Sequence, residues 1–348
     1  MANPPSLERR RLLKLGGGLL AGGALAASGW TFLNRGRNLF QIRHERTLMQ
    51  TSVSVNVFSA DPNVARHAIE AAFDRMAAVA AILTRFDPRS PVARLNREGH
   101  LTDPPSHLRK VVGHALGVSA ETDGDFDITV EPVLDYYLGL ARPISIDQGI
   151  RRIVSQREAC VGYKFVALDK AAIRFTRSGM GITLDGIAKG YVVDQGIAAL
   201  RQAGIEDALI DAGGDIRAIA RADGKRSWNI GIVDPQQTNR VAAVVRVSNA
   251  ALSTSGNYEV FFTADRRLFH IINPHTGYSP TRYSSVTVVA REAIESDAMG
   301  VAAFSMDLPR LKEVMAARRA EWLAFAWDGV TRWRSQDLPL VSGEARTL

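Results

Sequence analysis

The 348-residue chain contains one cysteine, Cys160. That excludes an intrachain disulfide, and a lone thiol reads as buried and inert. No cysteine lies near the end of the N-terminal apolar run, which excludes a lipoprotein. That run, Leu15 to Ala27, is about 13 residues of Leu, Gly and Ala, short of the roughly 20 needed to span a bilayer. No Gly-x-Gly-x-x-Gly opens a βαβ unit, which disfavours a nicotinamide-dependent Rossmann enzyme. A basic surplus is missing from the body of the chain as well. Residues 1–46 hold eight Lys/Arg and two acidic residues, so six of the seven net positive charges lie there. A nucleic-acid binder would carry its surplus on the folded part, so no nucleic-acid partner is expected. No repeat of fixed period is visible.

The N-terminus reads as an address. Glu8-Arg9-Arg10-Arg11-Leu12-Leu13-Lys14 precedes the apolar run, which closes on Ala24-Leu25-Ala26. A basic region, a short apolar region and a small-residue exit define a secretory signal. The Arg-Arg-x-Leu-Leu-Lys order resembles a twin-arginine signal, the route of proteins exported already folded. The expectation is therefore a periplasmic protein, or a membrane-tethered one if the signal is not cleaved. The division is signal 1–30, basic tether 31–46, catalytic domain 47–335 and C-terminal tail 336–348.

In the body, Val53, Val55 and Val57 alternate over Ser52–Phe58 and predict a strand. Ile69, Phe73, Met76, Ala80 and Leu83 share one face of a helix over 65–85. A second helix follows Pro104 and Pro105, and 147–162 reads as a connector or short helix. Met180–Leu184 is strand-like and gives way to a helical pattern at Ile187, Tyr191 and Ala198. Strands are predicted at Ala208–Asp211, Trp228–Val233, Ala242–Val247, Tyr258–Thr263, Leu268–Ile272, Ser285–Ala290 and Leu323–Trp327, with a helix at Glu295–Met306. Runs of strands with grouped helices predict an α+β fold with mixed or antiparallel sheets.

Six segments can carry chemistry. Thr183–Tyr191 frames Lys189 with glycines where a helix starts, and unpaired amides at a helix start favour anions such as phosphate. Gly124–Pro132 is an acidic turn. Asp211–Ile216 holds Gly213-Gly214, Ser253–Tyr258 is a hydroxyl-rich loop, and Phe269–Gly277 ends a strand in a turn. Glu295-Ser296-Asp297 opens a helix, where a carboxylate either caps the helix or holds a divalent metal. Taken singly, each is as well explained by structure: His270 as a packed histidine, Asp297 as a cap, the glycines as turns.

In this order the segments resemble the FAD:protein FMN transferase family, the ApbE-like flavin transferases. The counterparts of its motifs are Met49-Gln50-Thr51, Thr84–Ser90 with Leu95-Asn96, Phe126–Pro132, Gly186–Tyr191, Ala212–Ile216, Thr254–Tyr258, His270–Gly277 and Asp297–Val301. The resemblance spans roughly residues 47–330. It implies a two-lobed α+β domain that moves FMN from FAD through a phosphodiester to a Thr or Ser hydroxyl of an acceptor flavoprotein, releasing AMP. By that resemblance Met49, Phe86, Asp125, Phe126, Asp127, Thr183, Lys189 and Ile272 hold FAD. Gly186 offers a carbonyl and Asp297 a carboxylate to Mg²⁺, and His270 is the base. Exported members imply an acceptor in a membrane redox complex. The chain departs from the pattern at Gln50 for a glycine, at Thr183 and Asp185 for Asp and Gly, and at Val301 for a metal-binding threonine. A flavin-binding protein without transferase activity and a Mg²⁺-dependent FAD pyrophosphatase are the alternatives.

Overall fold

The computed structural model describes residues 39–221 and 226–341. The expected signal, residues 31–38 of the expected tether and residues 342–348 of the tail lie outside the described residues. Residues 40–46 of that tether are not a tether. They belong to β1 (Phe40–Leu48), which pairs along its length with β2 (Thr51–Ser59). Its charges, Arg43, His44, Glu45 and Arg46, mask it in the sequence, and charge is what an outermost strand carries to discourage pairing with other chains.

Helix α1 (Pro62–Leu83) follows, with Asp61 accepting from the Asn63 amide at 2.7 Å and Pro62 in its first turn. Pro91 starts α2 (Pro91–Glu98), capped by the Ser90 hydroxyl. Proline suits a first helical turn because the amide it lacks has no intrahelical partner there. Next come β3 (His100–Thr102), α3 (Ser106–Glu121), α4 (Glu131–Gly139), α5 (Gln148–Glu158), β4 (Val166–Leu168) and β5 (Ala172–Phe175). Then follow α6 (Ala188–Gln202), β6 (Asp207–Ala212), β7 (Asp215–Ile219) and the hairpin β8 (Trp228–Val233) with β9 (Val241–Val247). The chain closes with β10 (Ala251–Gly256), β11 (Tyr283–Ala290), α7 (Ala293–Ser305), α8 (Leu308–Ala317), β12 (Glu321–Ala326) and β13 (Arg332–Arg334).

The central sheet has eight strands in the order β1-β2-β6-β7-β10-β11-β12-β13, each antiparallel to its neighbours. The fold is α+β, as expected. One face packs on α1, α6 and α7, and the other on the β8–β9 hairpin. Strand periodicity sorts the side chains: Trp322 and Ala324 of β12 join the helix side, Leu323 and Phe325 the hairpin side. A third, smaller core joins α4 and α5 to the 260–272 segment through Val133, Tyr137, Val154, Phe262 and Leu268.

Three local expectations fail. Tyr258–Thr263 and Leu268–Ile272 are not strands; a single bridge between Phe261 and Phe269 links them. Met180–Leu184 forms no strand. The hydroxyl-rich Ser253–Gly256 is strand rather than loop, forming most of β10. Among the described residues no helix is long and apolar enough to cross a membrane.

Candidate active site

Two hairpin turns and two helix starts meet at one end of the central sheet. Met49 and Gln50 form the two-residue turn between β1 and β2, with φ of 52° and 62°. Gly213 and Gly214 form the β6–β7 turn, with φ of 67° and 96°. Turns of this hand match the twist of the strands they join. Val53 pairs with Ala212, so the turns are neighbours, and a methyl on Gly213 would overlap the Thr51 hydroxyl. Gln50 thus occupies a left-handed position where the family's glycine is free and a side chain costs about 1–2 kcal/mol.

The segment 180–187 leads into α6 under tight control. Asn96 grips Ile182 at both backbone groups, donating to its carbonyl at 2.9 Å and accepting from its amide at 2.8 Å. The Thr183 amide donates to the Ile128 carbonyl. Neither α6 nor α7 is capped by its own preceding side chain. Each is capped by a carboxylate of the other. Asp297 of α7 accepts from the Gly190 amide at 2.9 Å, and Asp194 of α6 accepts from Ala293 and Ile294 at 3.0 and 2.9 Å. The second glycine of the Gly186–Tyr191 motif serves this junction, since a methyl on Gly190 would overlap the Ala293 carbonyl.

Charge accumulates at the same place. Lys189 Nζ lies 2.6 Å from Asp215 Oδ2, and Arg217 lies 2.8 Å from Asp194. Burial and the nearby Asp215 push Asp297 well above the usual carboxylate range, with Lys189 pulling it down. Burial disfavours the Lys189 charge, but Asp215 and Asp297 outweigh it and hold the ammonium above its ordinary range. Two buried carboxylates share one ammonium, so the site favours a further cation. His270 is pushed down by burial, with Glu259 acting the other way. Its Nδ1 lies 3.3 Å from the Val260 carbonyl. A carbonyl only accepts, so Nδ1 carries the proton and Nε2 is left with its lone pair.

The expected site residues separate into two groups. Lys189, Asp297 and His270 interact electrostatically and form the charged centre. Met49 stands at the turn beside it, partly buried against the main core. Gly186 adjoins it, with Val301 packed on its Cα. Phe86 is 51% exposed and carries the Arg85 guanidinium 4.4 Å above its ring. The rest are engaged by the protein. Phe126, 3% exposed, and Ile272, 6% exposed, are core side chains, which leaves their backbone as the part that can meet a ligand. Both Asp127 oxygens are taken, one by the amide and hydroxyl of Thr129 and one by the Tyr163 amide. Asp125 lies 3.4 Å from His275, its carboxyl raised by burial against the pull of that histidine. Thr183 is buried and its hydroxyl accepts from the Asp185 amide. Asp185 itself is bound to Arg85 at 3.0 Å, which accounts for the acid that departs from the family pattern.

Sequence reasoning passed over Asp215, Asp194 and Arg85. For Asp215 a signal existed, an acid directly after Gly213-Gly214 where a strand begins. Asp194 and Arg85 are defined by partners about 100 residues away in the chain.

A helix start, a lysine, buried carboxylates and a neutral histidine in one place define a site for phosphoryl chemistry on an anionic substrate. The model of the ApbE family matches residues 49–325, and the chain belongs to that family. It is 28% identical to the FAD:protein FMN transferase of Haemophilus influenzae over 247 residues, covering 68% of this chain and 71% of that protein. It is 27% identical to the Escherichia coli FAD:protein FMN transferase over 256 residues, with 70% and 71% covered. The crystal structure of the ApbE protein from Thermotoga maritima superposes with a TM-score of 0.76 at 29% identity, covering 85% of this chain and 97% of that one. The chain is thus a transferase homologue, with FAD as the implied substrate.

Among the described residues no three His, Cys, Asp or Glu side chains converge into a metal cage. Mg²⁺ does not require one, since one or two carboxylates with substrate phosphates and water suffice. One Asp297 oxygen is committed to Gly190, the surrounding charge is negative, and Val301 fills the expected threonine position. These residues fit a cation that arrives with a nucleotide, held by Asp297 and the Gly186 carbonyl.

Proposed function

We propose that the protein transfers FMN from FAD to a Thr or Ser hydroxyl of an acceptor flavoprotein. The observation that carries this reading is the junction of α6 and α7, where Lys189, Asp215 and Asp297 meet beside a neutral His270. The acceptor hydroxyl attacks the FMN phosphorus of FAD and its proton passes to His270 Nε2. The bond from that phosphorus to the AMP oxygen breaks, and AMP departs. Lys189 faces the pyrophosphate, and Phe86 supports the flavin end. Magnesium, when bound at Asp297, offsets charge on the pyrophosphate. Burial keeps His270 unprotonated near neutral pH, as a base must be.

The twin-arginine reading of residues 1–30 puts this reaction outside the cytoplasm, with a subunit of a membrane redox complex as the acceptor class. Arg9→Lys with Arg10→Lys should then block export and leave the folded domain intact; export at the wild-type level contradicts that route.

One observation favours a second reading. Val301 puts a methyl against Gly186 where the family pattern has a metal-binding hydroxyl, so a weaker cation site and a flavin binder or FAD pyrophosphatase stay in play. Incubation with FAD, Mg²⁺ and an acceptor, followed by intact mass of the acceptor, separates them. Covalent FMN supports the transferase, free FMN and AMP without acceptor support the hydrolase, and unchanged FAD supports the binder.

A further inference from the structure

The reciprocal caps at the α6–α7 junction have the same arrangement in both directions. In each helix a first-turn amide is held by the partner, and the carboxylate one turn further on holds the partner's amides. Gly190 brings the two backbones into contact, and no side chain preceding either helix substitutes for these caps. Asp297 therefore takes its place from the direction of the first turn of α7, and Asp194 fixes that turn. Asp194 itself is part-buried and balanced by Arg217, which reaches it from β7 at 2.8 Å.

We infer that Asp194 is a positioning residue for the reaction. Through its two hydrogen bonds to Ala293 and Ile294 it sets the first turn of α7, and so aims the free oxygen of Asp297 at the cation and pyrophosphate. It does this as a hydrogen-bond acceptor, and Arg217 only neutralises it. Among the described residues no hydrogen bond or ion pair joins Asp194 to Lys189 or Asp297, so its effect on them passes through the helix backbone. This rests on the proposed site for FAD and Mg²⁺.

Removing Asp194 alone would leave Arg217 buried without a partner, and the loss would then report on an orphaned charge. The test uses paired variants: Arg217→Met, Asp194→Ala with Arg217→Met, and Asp194→Asn with Arg217→Met. FAD affinity is measured by flavin fluorescence with and without Mg²⁺, together with FMN transfer and the melting temperature. The wild type and Arg217→Met should bind FAD tighter with Mg²⁺ than without it. In the alanine pair the gain from Mg²⁺ should vanish, and the transfer rate should fall tenfold or more at saturating FAD. The asparagine pair, whose single amide oxygen still accepts from one of the two α7 amides, should recover part of both. The inference is overturned if the alanine pair keeps the Mg²⁺ gain, if Arg217→Met loses it equally, if the asparagine pair recovers nothing over the alanine pair, or if the alanine pair does not fold. If the wild type binds FAD with the Mg²⁺ gain yet transfers no FMN, the functional reading fails, and the affinity comparison still decides the role of Asp194.

Discussion

The two layers that cover the central sheet are held to it in different ways. The β8–β9 hairpin meets its face through Leu209, Ile216, Ile230, Ile232, Val245, Leu252 and Phe325. On that side the buried Asp207 pairs with Arg221 and Arg226, whose side chains are 26% and 21% exposed. The helix layer has a larger apolar core and gathers more charge: part-buried Asp194 with buried Arg217, buried Asp215 with Lys189, whose side chain is 36% exposed, and buried Asp297. Burying charge is costly even when it is paired, and apolar replacements are often as stable. Both layers bear that cost, but only the helix layer gathers three carboxylates around the starts of two helices, where chemistry gives them a use.

If that contrast holds, substitutions in the two layers should separate activity from stability. The largest effect is expected at His270. A positioned base contributes about 10²–10⁴-fold, so His270→Asn should slow transfer by that order with FAD still bound. Because burial holds His270 below the ordinary histidine range, protonation should remove wild-type activity only below about pH 6.5. That acid limb should disappear from the pH–rate profile of the variant. A wild-type rate in His270→Asn would place the base elsewhere.

The hairpin layer should respond in the opposite sense. Phe325 is buried in its core, and Phe325→Ala should cost about 3–5 kcal/mol of stability. FAD affinity at a temperature where the variant is folded should be unchanged, and a matching loss of affinity would break the separation.

Lys189→Met sharpens the comparison because it affects both quantities. Loss of a charge-assisted contact should weaken FAD binding by about 1–3 kcal/mol. The apo protein should be destabilised too, since Asp215 is left buried without its ammonium. Calorimetric unfolding with a parallel FAD titration checks this, and unchanged affinity with lost stability would confine Lys189 to the fold.

The smallest effect is expected at Glu131, which burial and then Asp135 push up to about 7. A raised carboxyl contributes stability below its unfolded value near 4.5, and that contribution is lost as pH rises through about 7. Glu131→Gln should therefore melt a few degrees above wild type at pH 8 and close to it at pH 4.5. Equal melting temperatures at pH 8 would show that Glu131 ionises freely.

What the sequence revealed follows the same division. Strands of the apolar layer were legible because alternation is their whole signal: Trp228–Val233, Ala242–Val247 and Ser285–Ala290 match observed strands to within two residues. β10 was hidden because it faces small residues of α7. Ser253 bonds Ser296 at 2.8 Å, and a methyl on Gly300 would press on Ser255, so hydroxyls pack where apolar residues would be expected. The 258–272 segment alternates like strands but folds back as loops over the third core. In the candidate site, Lys189, His270 and Asp297 were legible as motif residues. Asp194 and Arg85 were not, because only their distant partners give them meaning. Phe126 and Ile272 read as motif residues, and their apolar side chains also belong to the core.

Asp297, locked to α6 through Gly190, would hold a cation that works on the FAD pyrophosphate, and Val301 would leave that cation few protein ligands. A Mg²⁺ titration of FMN transfer by the wild type, Asp297→Asn and Val301→Thr decides whether it does. No measurable transfer is expected from Asp297→Asn at Mg²⁺ concentrations that saturate the wild type, and a lower half-saturating Mg²⁺ concentration is expected for Val301→Thr. A wild-type Mg²⁺ dependence in Asp297→Asn would contradict that role and leave Asp297 as no more than the cap of α6.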